Sequence, residues 1–325
     1  MKFRWTQICA VFAVALFSLQ AQAQGSGDFP SRAIKIIVPG GAATAPDLVA
    51  RALAEELTKQ MNVSVTVDNR EGAGGTVAYV AAAKSPADGY TLLLASSTMV
   101  TSVHMVNPQP FDPVKDFTSI IKIGEIPLLA VVGSDTQHKN WKDLVTWSKA
   151  NPGKMNFGTM GKGSASHLYT AMLQKEFSFG ATDVAYKSVS QGIVDTSTGK
   201  LDFYLANLPP TISLLQAGKL RAVGIGSATR LPALPDVPTF AELTGKPGYR
   251  AVLWYAAMVP AGTPQAIVSR LVNEVTKAAA SPVVKQRIEA AGGVMAVASG
   301  KDMHDQVEAD FNKFGGLVKE LGLGK

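Results

Sequence analysis

Along most of this chain, short runs of consecutive apolar residues alternate with longer stretches whose apolar positions recur every three or four residues. The first pattern suits strands covered on both faces, the second suits helices with one buried stripe. In the first third it predicts strand 33–38, helix 45–60, strand 63–67, helix 75–84 and strand 91–95, with the glycine turn EGAGG just before the second helix. After a proline-rich connection from Pro108 to Pro113, strand-like stretches follow at 118–124 and 127–133. Next come helix 141–150, a strand–loop–helix unit over Asn156 to Leu173, strand 182–186, helix 189–199, strand 201–206, helix 211–217 and strand 220–226. A proline-punctuated loop at 231–238 leads into a long strand, 249–259. Three C-terminal helices then open at Pro264 after Thr263, at Pro282 after Ser281, and at Ser299 with Asp302 three residues on. Strands alternating with helices imply an α/β fold with mostly parallel sheets. No repeat of fixed period runs through the chain, which excludes a solenoid.

The first residues break this pattern. Lys2 and Arg4 precede an uncharged apolar run from Ile8 to Leu19 and then Ala21-Gln22-Ala23, the order of a secretory leader cleaved near Ala23. The run is too short for an ordinary membrane span, and no later stretch is long and apolar enough for one, so a soluble periplasmic protein is expected. The only cysteine, Cys9, leaves with the leader, so neither a disulfide nor thiol chemistry is expected. The remaining 302 residues exceed what one core usually serves. Two domains are expected: residues 24–126 with 251–325, and residues 127–250, the first crossing lying near Glu125 to Leu128. The 31 basic residues lose two with the leader while the 25 acidic ones lose none, which lowers the formal net charge from +6 to +4. That mild excess is spread out, with no five-residue basic block, and argues against nucleic acid as a partner.

Two loops carry the candidate chemistry. In NFGTMGKGSASHL, Gly158, Gly161 and Gly163 allow a sharp turn and close approach to a ligand, while Ser164 or Ser166 caps the helix that carries His167. Free N–H groups at such a helix start attract anions. The upstream loop PGGAATAPD follows strand 33–38 in the same way and offers Gly40, Gly41, Ala43, Thr44 and Asp47. Thr44 and Asp47 also have the spacing of a capping box. Ser96, Ser97 and Thr98 stand at the carboxyl end of strand 91–95, where open α/β sheets bind ligands, although capping of the next helix is an equal use for them. Lys162 and Lys187 are the cations of the second-domain loops, and one of Trp254 and Tyr255 is placed to close the pocket aromatically. The four histidines lack metal-ligand spacing, and neither a phosphate loop nor a nucleophile elbow is present. Gly224-Ile-Gly226 lacks the third glycine of a dinucleotide fingerprint. Ser164 or Ser166 with His167 keeps open a rival reading, a secreted Ser/His hydrolase.

IKIIVP with a downstream Asp-Leu-Val-Ala-Arg, then VDNREGAGG, ADGYTLLLAS, FDPVKDF, NPGKMNFGTMGKGSASHL, AYKS, NLPP, AGKLRAVGIGSATR, LPDVPTFAEL and VPAGTP resemble, in the same order, the Bug family. Its members are the periplasmic substrate-binding receptors of tripartite tricarboxylate transporters. The resemblance covers almost the whole processed chain. It implies a two-domain periplasmic binding protein, type II-like, with a hinged cleft between two doubly wound α/β domains. It further implies a small organic acid (di-, tri- or aromatic carboxylate) held by loop amides, hydroxyls and waters, and a monomer without cofactor, metal or enzymatic activity is expected. The implied partners are the membrane subunits of the transporter, with a receptor that signals instead of feeding a permease as the variant reading. The matching motifs add Tyr186, Lys187 and Asn207 to the candidate site. Three departures stand out. Ala43 and Thr44 occupy the usual glycine pair of the first loop, Ala206 the usual aspartate before Asn-Leu-Pro, and Ser188 the usual glycine after Tyr-Lys. Methyl groups at Ala43 and Thr44 restrict φ and narrow the approach to that backbone.

Overall fold

The computed structural model describes residues 29–42 and 44–323. The leader and Ala43 lie outside the described residues. Two mixed sheets with helices packed on them make up an α/β fold. The first sheet begins with β1 (Ile34–Val38), α1 (Ala45–Met61), β2 (Val65–Asn69), α2 (Thr76–Ala83) and β3 (Thr91–Ser96). A short α3 (Thr98–Ser102) and a 3-10 turn, Val103–Met105, precede β4 (Phe117–Pro127). The chain then passes through Leu128 into the second sheet. There it forms β5 (Leu129–Gly133), α4 (Trp141–Ala150), β6 (Asn156–Thr159), α5 (Ala165–Phe177), β7 (Thr182–Ala185), α6 (Val189–Ser197), β8 (Phe203–Ala206), α7 (Ile212–Gln216), β9 (Leu220–Ile225) and α8 (Phe240–Thr244). It returns through β10 (Val252–Pro260) and closes with α9 (Gln265–Ala279), α10 (Pro282–Ala290), β11 (Val294–Ser299) and α11 (Gly300–Glu320).

Spatial order is β11-β4-β10-β3-β1-β2 in one sheet and β7-β6-β8-β5-β9 in the other. The sequence pattern implies mostly parallel sheets, and this holds only for β1 with β2 and β3, and for β6 with β7 and β8. β10 runs antiparallel between β3 and β4, and β5 antiparallel between β8 and β9. The cause is the double crossing: a strand arriving from the other sheet enters at the junction, where its neighbours end, and so runs against them. The carboxyl ends of β1, β3, β4, β6, β8 and β9 therefore all face the junction. The three expected C-terminal helices are present, and β11 is an additional strand between the last two. It is a half-exposed edge strand paired to β4 through a shifted register, and its short VMAVAS run carries no alternation to betray it.

Burial follows the pattern read from the sequence. β3 is buried at every position, as a strand between two covered faces must be. Under the second sheet, Trp141 meets Phe177, Phe179, Phe203 and Phe240 edge-on at centroid distances of 5.3, 5.7, 6.3 and 5.1 Å. Each such pair contributes about 0.5–1.5 kcal/mol beyond its buried area. This aromatic cluster carries β6, β8 and α5, and so fixes the floor beneath the second glycine loop.

At the junction the two crossings are bonded to each other. Leu128 N–H donates to Ala251 O (2.9 Å), Ala251 N–H to Gly226 O (3.1 Å) and Gly226 N–H to Leu128 O (2.8 Å). Beside them Glu125, fully buried, accepts from Lys122 Nζ and from Arg250 Nη2 (2.8 Å), while Lys122 Nζ also donates to Gln306 Oε1 (3.0 Å) on α11. The sheets also touch through side chains. Tyr169 of α5 donates its hydroxyl to Val252 O at 2.5 Å, and Lys175 of α5 pairs with Glu320 of α11 at 2.6 Å.

Candidate functional site

The first glycine loop is tied back onto its own sheet. Asn69 Nδ2 donates to Gly40 O (3.0 Å), and Arg51 joins Asn69 Oδ1 (3.3 Å) to Asp47 Oδ2 (2.9 Å). Asp47 is 1% exposed, so its charge acts through Arg51 and the loop. Thr44 does not form the capping box its spacing suggests: its hydroxyl donates to Gly41 O at 2.6 Å and no side-chain bond caps α1. Gly41 lies under the Glu71 carboxylate, whose Oε1 would stand 2.2 Å from a Cβ there. The EGAGG turn completes this corner with Ala73, Gly74 and Gly75 at φ of 47°, 64° and 94°. Glycine tolerates that left-handed run, and Ala73 is its one strained member. Gly75 packs on Pro39 and on Tyr79, where a Cβ would fall within 3.0 Å of both side chains.

Tyr79 was not evident as a site residue, since its spacing in the helix is that of ordinary core. Fully buried, it places its hydroxyl 2.7 Å from Thr98 Oγ1 and 3.2 Å from Ser96 Oγ, which are 2.8 Å from each other. Burial raises its pKa, so the phenol stays protonated and can donate. Ser97, 1% exposed, donates its N–H to Trp254 O at 3.2 Å. These hydroxyls brace the end of β3 against β10. Trp254 and Tyr255 are both core residues, 0% and 5% exposed, with Trp254 Nε1 donating to Asp310 Oδ2 at 3.0 Å. Neither closes a cavity aromatically, because both faces of a central strand are covered.

The second loop is a compact turn at the carboxyl end of β6. Gly161 and Gly163 take φ of 97° and 79°, which a Cβ-bearing residue adopts only under strain. Their N–H groups serve the turn itself: Gly161 N–H reaches Thr159 Oγ1 (3.0 Å) and Gly163 N–H reaches His167 Nδ1 (3.3 Å). Met160 N–H donates to Ser166 Oγ (3.2 Å), and Ser164 N–H to Gly161 O (3.1 Å). Ser164 caps α5 by accepting the His167 N–H at 3.3 Å. Donors that point outward are therefore those of the first helical turn, the N–H groups of Ala165 and Ser166, which have no carbonyl to reach inside a helix. A hydroxyl hydrogen of the Ser164/Ser166 pair, 3.2 Å apart, adds to them. Burial lowers the pKa of His167, which keeps its ring neutral and lets Nδ1 accept. Lys162 and Lys187 are exposed. Tyr186 donates its hydroxyl to Asp195 Oδ2 at 3.0 Å.

A cavity of about 260 Å³ opens where α5, the end of β8 and the junction meet, lined among others by Leu128, Ser164, Ser166, Tyr204, Asn207 and Leu253. It gathers Ser164, Ser166 and Asn207 from the residues singled out in the sequence. Gly40, Gly41, Thr44, Asp47 and Ser96 to Thr98 belong to the facing strand ends and do not line it. The two sides meet at Met105, whose Sδ would be 2.7 Å from a Cβ on Gly163. A larger groove of about 550 Å³ runs along α1 and the edge strand β2, lined by Arg51, Glu55 and Lys59. That groove lies away from the strand ends where such sheets bind ligands. Among the described residues no group of three His, Cys, Asp or Glu side chains can hold a metal, and no helix is long and apolar enough to cross a membrane.

The profile of the family described as tripartite tricarboxylate transporter family receptor matches residues 49–323. The chain belongs to this family. It is 31% identical over 320 residues to BugT of Bordetella pertussis, covering 98% of each chain. Among solved structures, Rpa4515 of R. palustris with adipate is similar at TM-score 0.73 and 30% identity, over 91% of this chain and 99% of that one. MatC of Rhodopseudomonas palustris with bound malate is similar at TM-score 0.70 and 26% identity, over 89% of this chain and all of that one. The receptor thus presents a capped helix N-terminus and two serines to a cavity at the junction of its two sheets.

Proposed function

We propose that this receptor binds a small organic carboxylate between its two α/β units in the periplasm and delivers it to the membrane subunits of a tripartite transporter. The observation that carries the reading is the N-terminus of α5 opening with Ser164, Ser166 and Asn207 into the cavity at the junction. A carboxylate there meets N–H and hydroxyl donors aimed in advance, together with the positive end of the helix. The adipate and malate held by two relatives support the ligand class. The units are residues 24–126 with 251–325, and residues 127–250. They close about the junction, replacing the ligand's hydration by fixed donors. The hydrolase reading gains no support from the geometry, because Ser164 Oγ accepts the His167 backbone N–H while the imidazole Nδ1 accepts from Gly163.

A melting-temperature screen of organic acids tests the reading. A ligand at 100 times its Kd stabilises by about 2.7 kcal/mol, and at least one carboxylate is expected to do so. If sugars or cationic amines raise the melting temperature and no carboxylate does, the proposal fails. Ser166→Ala removes a donor facing the anion and is expected to weaken the best carboxylate about ten- to a hundredfold, since a hydrogen bond to a charged group is worth roughly 1.5–3 kcal/mol. Unchanged affinity by calorimetry would assign Ser166 to loop support through Met160 alone.

A further inference from the structure

Tyr204, on β8, has a fixed place. Its ring lies against two glycines: a Cβ on Gly158 would stand 2.2 Å from its Cδ2, and one on Gly192 would stand 2.4 Å from its Cε2. The side chain is 1% exposed, and its hydroxyl interacts with Ser166 but meets no group, among the described residues, at full hydrogen-bond geometry. A buried hydroxyl so weakly partnered is costly, and such groups are rare unless a ligand or water completes them. Burial raises the phenol's pKa, so it remains a donor. Apart from Tyr204, Ser164, Ser166 and Asn207, the side chains of the cavity wall are hydrocarbon or thioether: Leu128, Met160, Ala165, Val189, Leu205, Ala206 and Leu253. Among the described residues none with a charged side chain lines it.

We infer that this cavity selects organic acids whose body is hydrocarbon, with the Tyr204 and Ser166 hydroxyls donating to one ligand oxygen. The inference rests on the carboxylate-receptor reading and sharpens it. An ammonium group inside this wall loses its water and meets no carboxylate, and an added hydroxyl meets carbon. A hydrocarbon body, in contrast, gains by leaving water. Tyr204 supplies a donor from the strand side, opposite the helix start, and so orients the acid group with respect to the wall.

Calorimetric titration of the processed protein with hexanoate, 6-hydroxyhexanoate and 6-aminohexanoate varies one substituent at the end of the chain that the wall surrounds. Hexanoate is expected to bind roughly ten- to a hundredfold tighter than the hydroxy acid, the range in which an apolar pocket rejects a hydroxyl, and tighter still than the amino acid. Equal or tighter binding of the hydroxy or amino acid, or of citrate, overturns the inference and leaves the receptor reading standing. If none of these acids nor adipate nor malate binds, the receptor reading falls and the inference with it. Tyr204→Phe is expected to weaken hexanoate at least tenfold while leaving the melting temperature of the free protein unchanged or higher, because it deletes a buried hydroxyl that meets no group at full hydrogen-bond geometry. A lower melting temperature with unchanged affinity would make that hydroxyl structural and overturn its role. Ala206→Asp, which sets an acid in the wall, is expected to reverse the order in favour of 6-aminohexanoate, and an unreversed order in the folded variant counts against this assignment of the wall.

Discussion

Replacing Glu125 by alanine is expected to destabilise the protein by about 3–5 kcal/mol, the range seen when one partner of a buried ion pair is removed. Glu125 is fully buried on β4 and answers two cations from different parts of the chain, Lys122 on its own strand and Arg250 just before β10. Its removal leaves Lys122, 5% exposed, with the neutral Gln306 oxygen as its acceptor among the described residues. Arg250 fares better, since its side chain is 36% exposed and can turn to water. The cost should therefore sit almost entirely on Lys122. It follows that the double replacement Lys122→Met, Glu125→Leu is expected to recover most of the loss, because it exchanges a charged pair for apolar volume in a dry site. Denaturant unfolding of the two variants and the parent decides the matter. A single-variant loss below about 1 kcal/mol, or a double variant no better than the single, would mean that water already reaches the cluster.

What the sequence disclosed and what it hid differ in range. Helix caps are local, so Ser164, Ser281 and Ser299 were legible from their neighbours and each accepts the N–H three residues on. The buried strands β1, β3 and β5 were legible because an apolar run between turn residues has few other uses. Strand direction was not, because it depends on where a chain that leaves one sheet re-enters the other, and no local spacing records that. The same limit applies to side chains. Ser96 and Thr98 were rightly placed at a strand end, but only the fold brings Tyr79 to them from α2. Thr44 and Asp47 had the spacing of a cap, yet the turn at Gly41 draws the threonine hydroxyl away. Nothing in strand 201–206 singles out Tyr204, because its slot is cut by Gly158 and Gly192 on two other elements. The glycines of the second loop mark close approach to a ligand by their spacing, whereas their N–H groups hold the turn and the start of α5 carries the donors.

Gly226→Ala is expected to be the most damaging glycine substitution in the chain, costing about 3 kcal/mol or more, although nothing about its φ demands glycine. A Cβ there would lie 1.9 Å from Ala251 O and 2.6 Å from its carbonyl carbon. These are backbone atoms, so no rotamer change relieves the contact and the return crossing itself must move. Moving it strains the Ala251-to-Gly226 bond of 3.1 Å and, through the shared carbonyl, the Leu128-to-Ala251 bond of 2.9 Å. Overpacking costs roughly 1–3 kcal/mol, and each weakened backbone bond adds about 0.5–1.5 kcal/mol. Gly224, two residues earlier, offers a graded comparison, since its Cβ would meet the Phe240 ring at 2.7 Å and a ring can shift. Gly248 is the control: no atom of the described residues lies within 4 Å of its Cβ position and its φ is not left-handed. There alanine is expected to be neutral or to stabilise slightly by restricting the unfolded chain. Because Leu128 and Leu253 flank this junction and line the cavity, a shifted crossing also misplaces the wall against the α5 donors. Carboxylate affinity is therefore expected to fall in Gly226→Ala under conditions where the variant remains folded, and to be unchanged in Gly248→Ala. Denaturation midpoints and calorimetric titration of the three variants test both parts. If Gly226→Ala matches the Gly248→Ala control in stability and binding, the two crossings are free to separate, and the junction is not the pivot on which the units close.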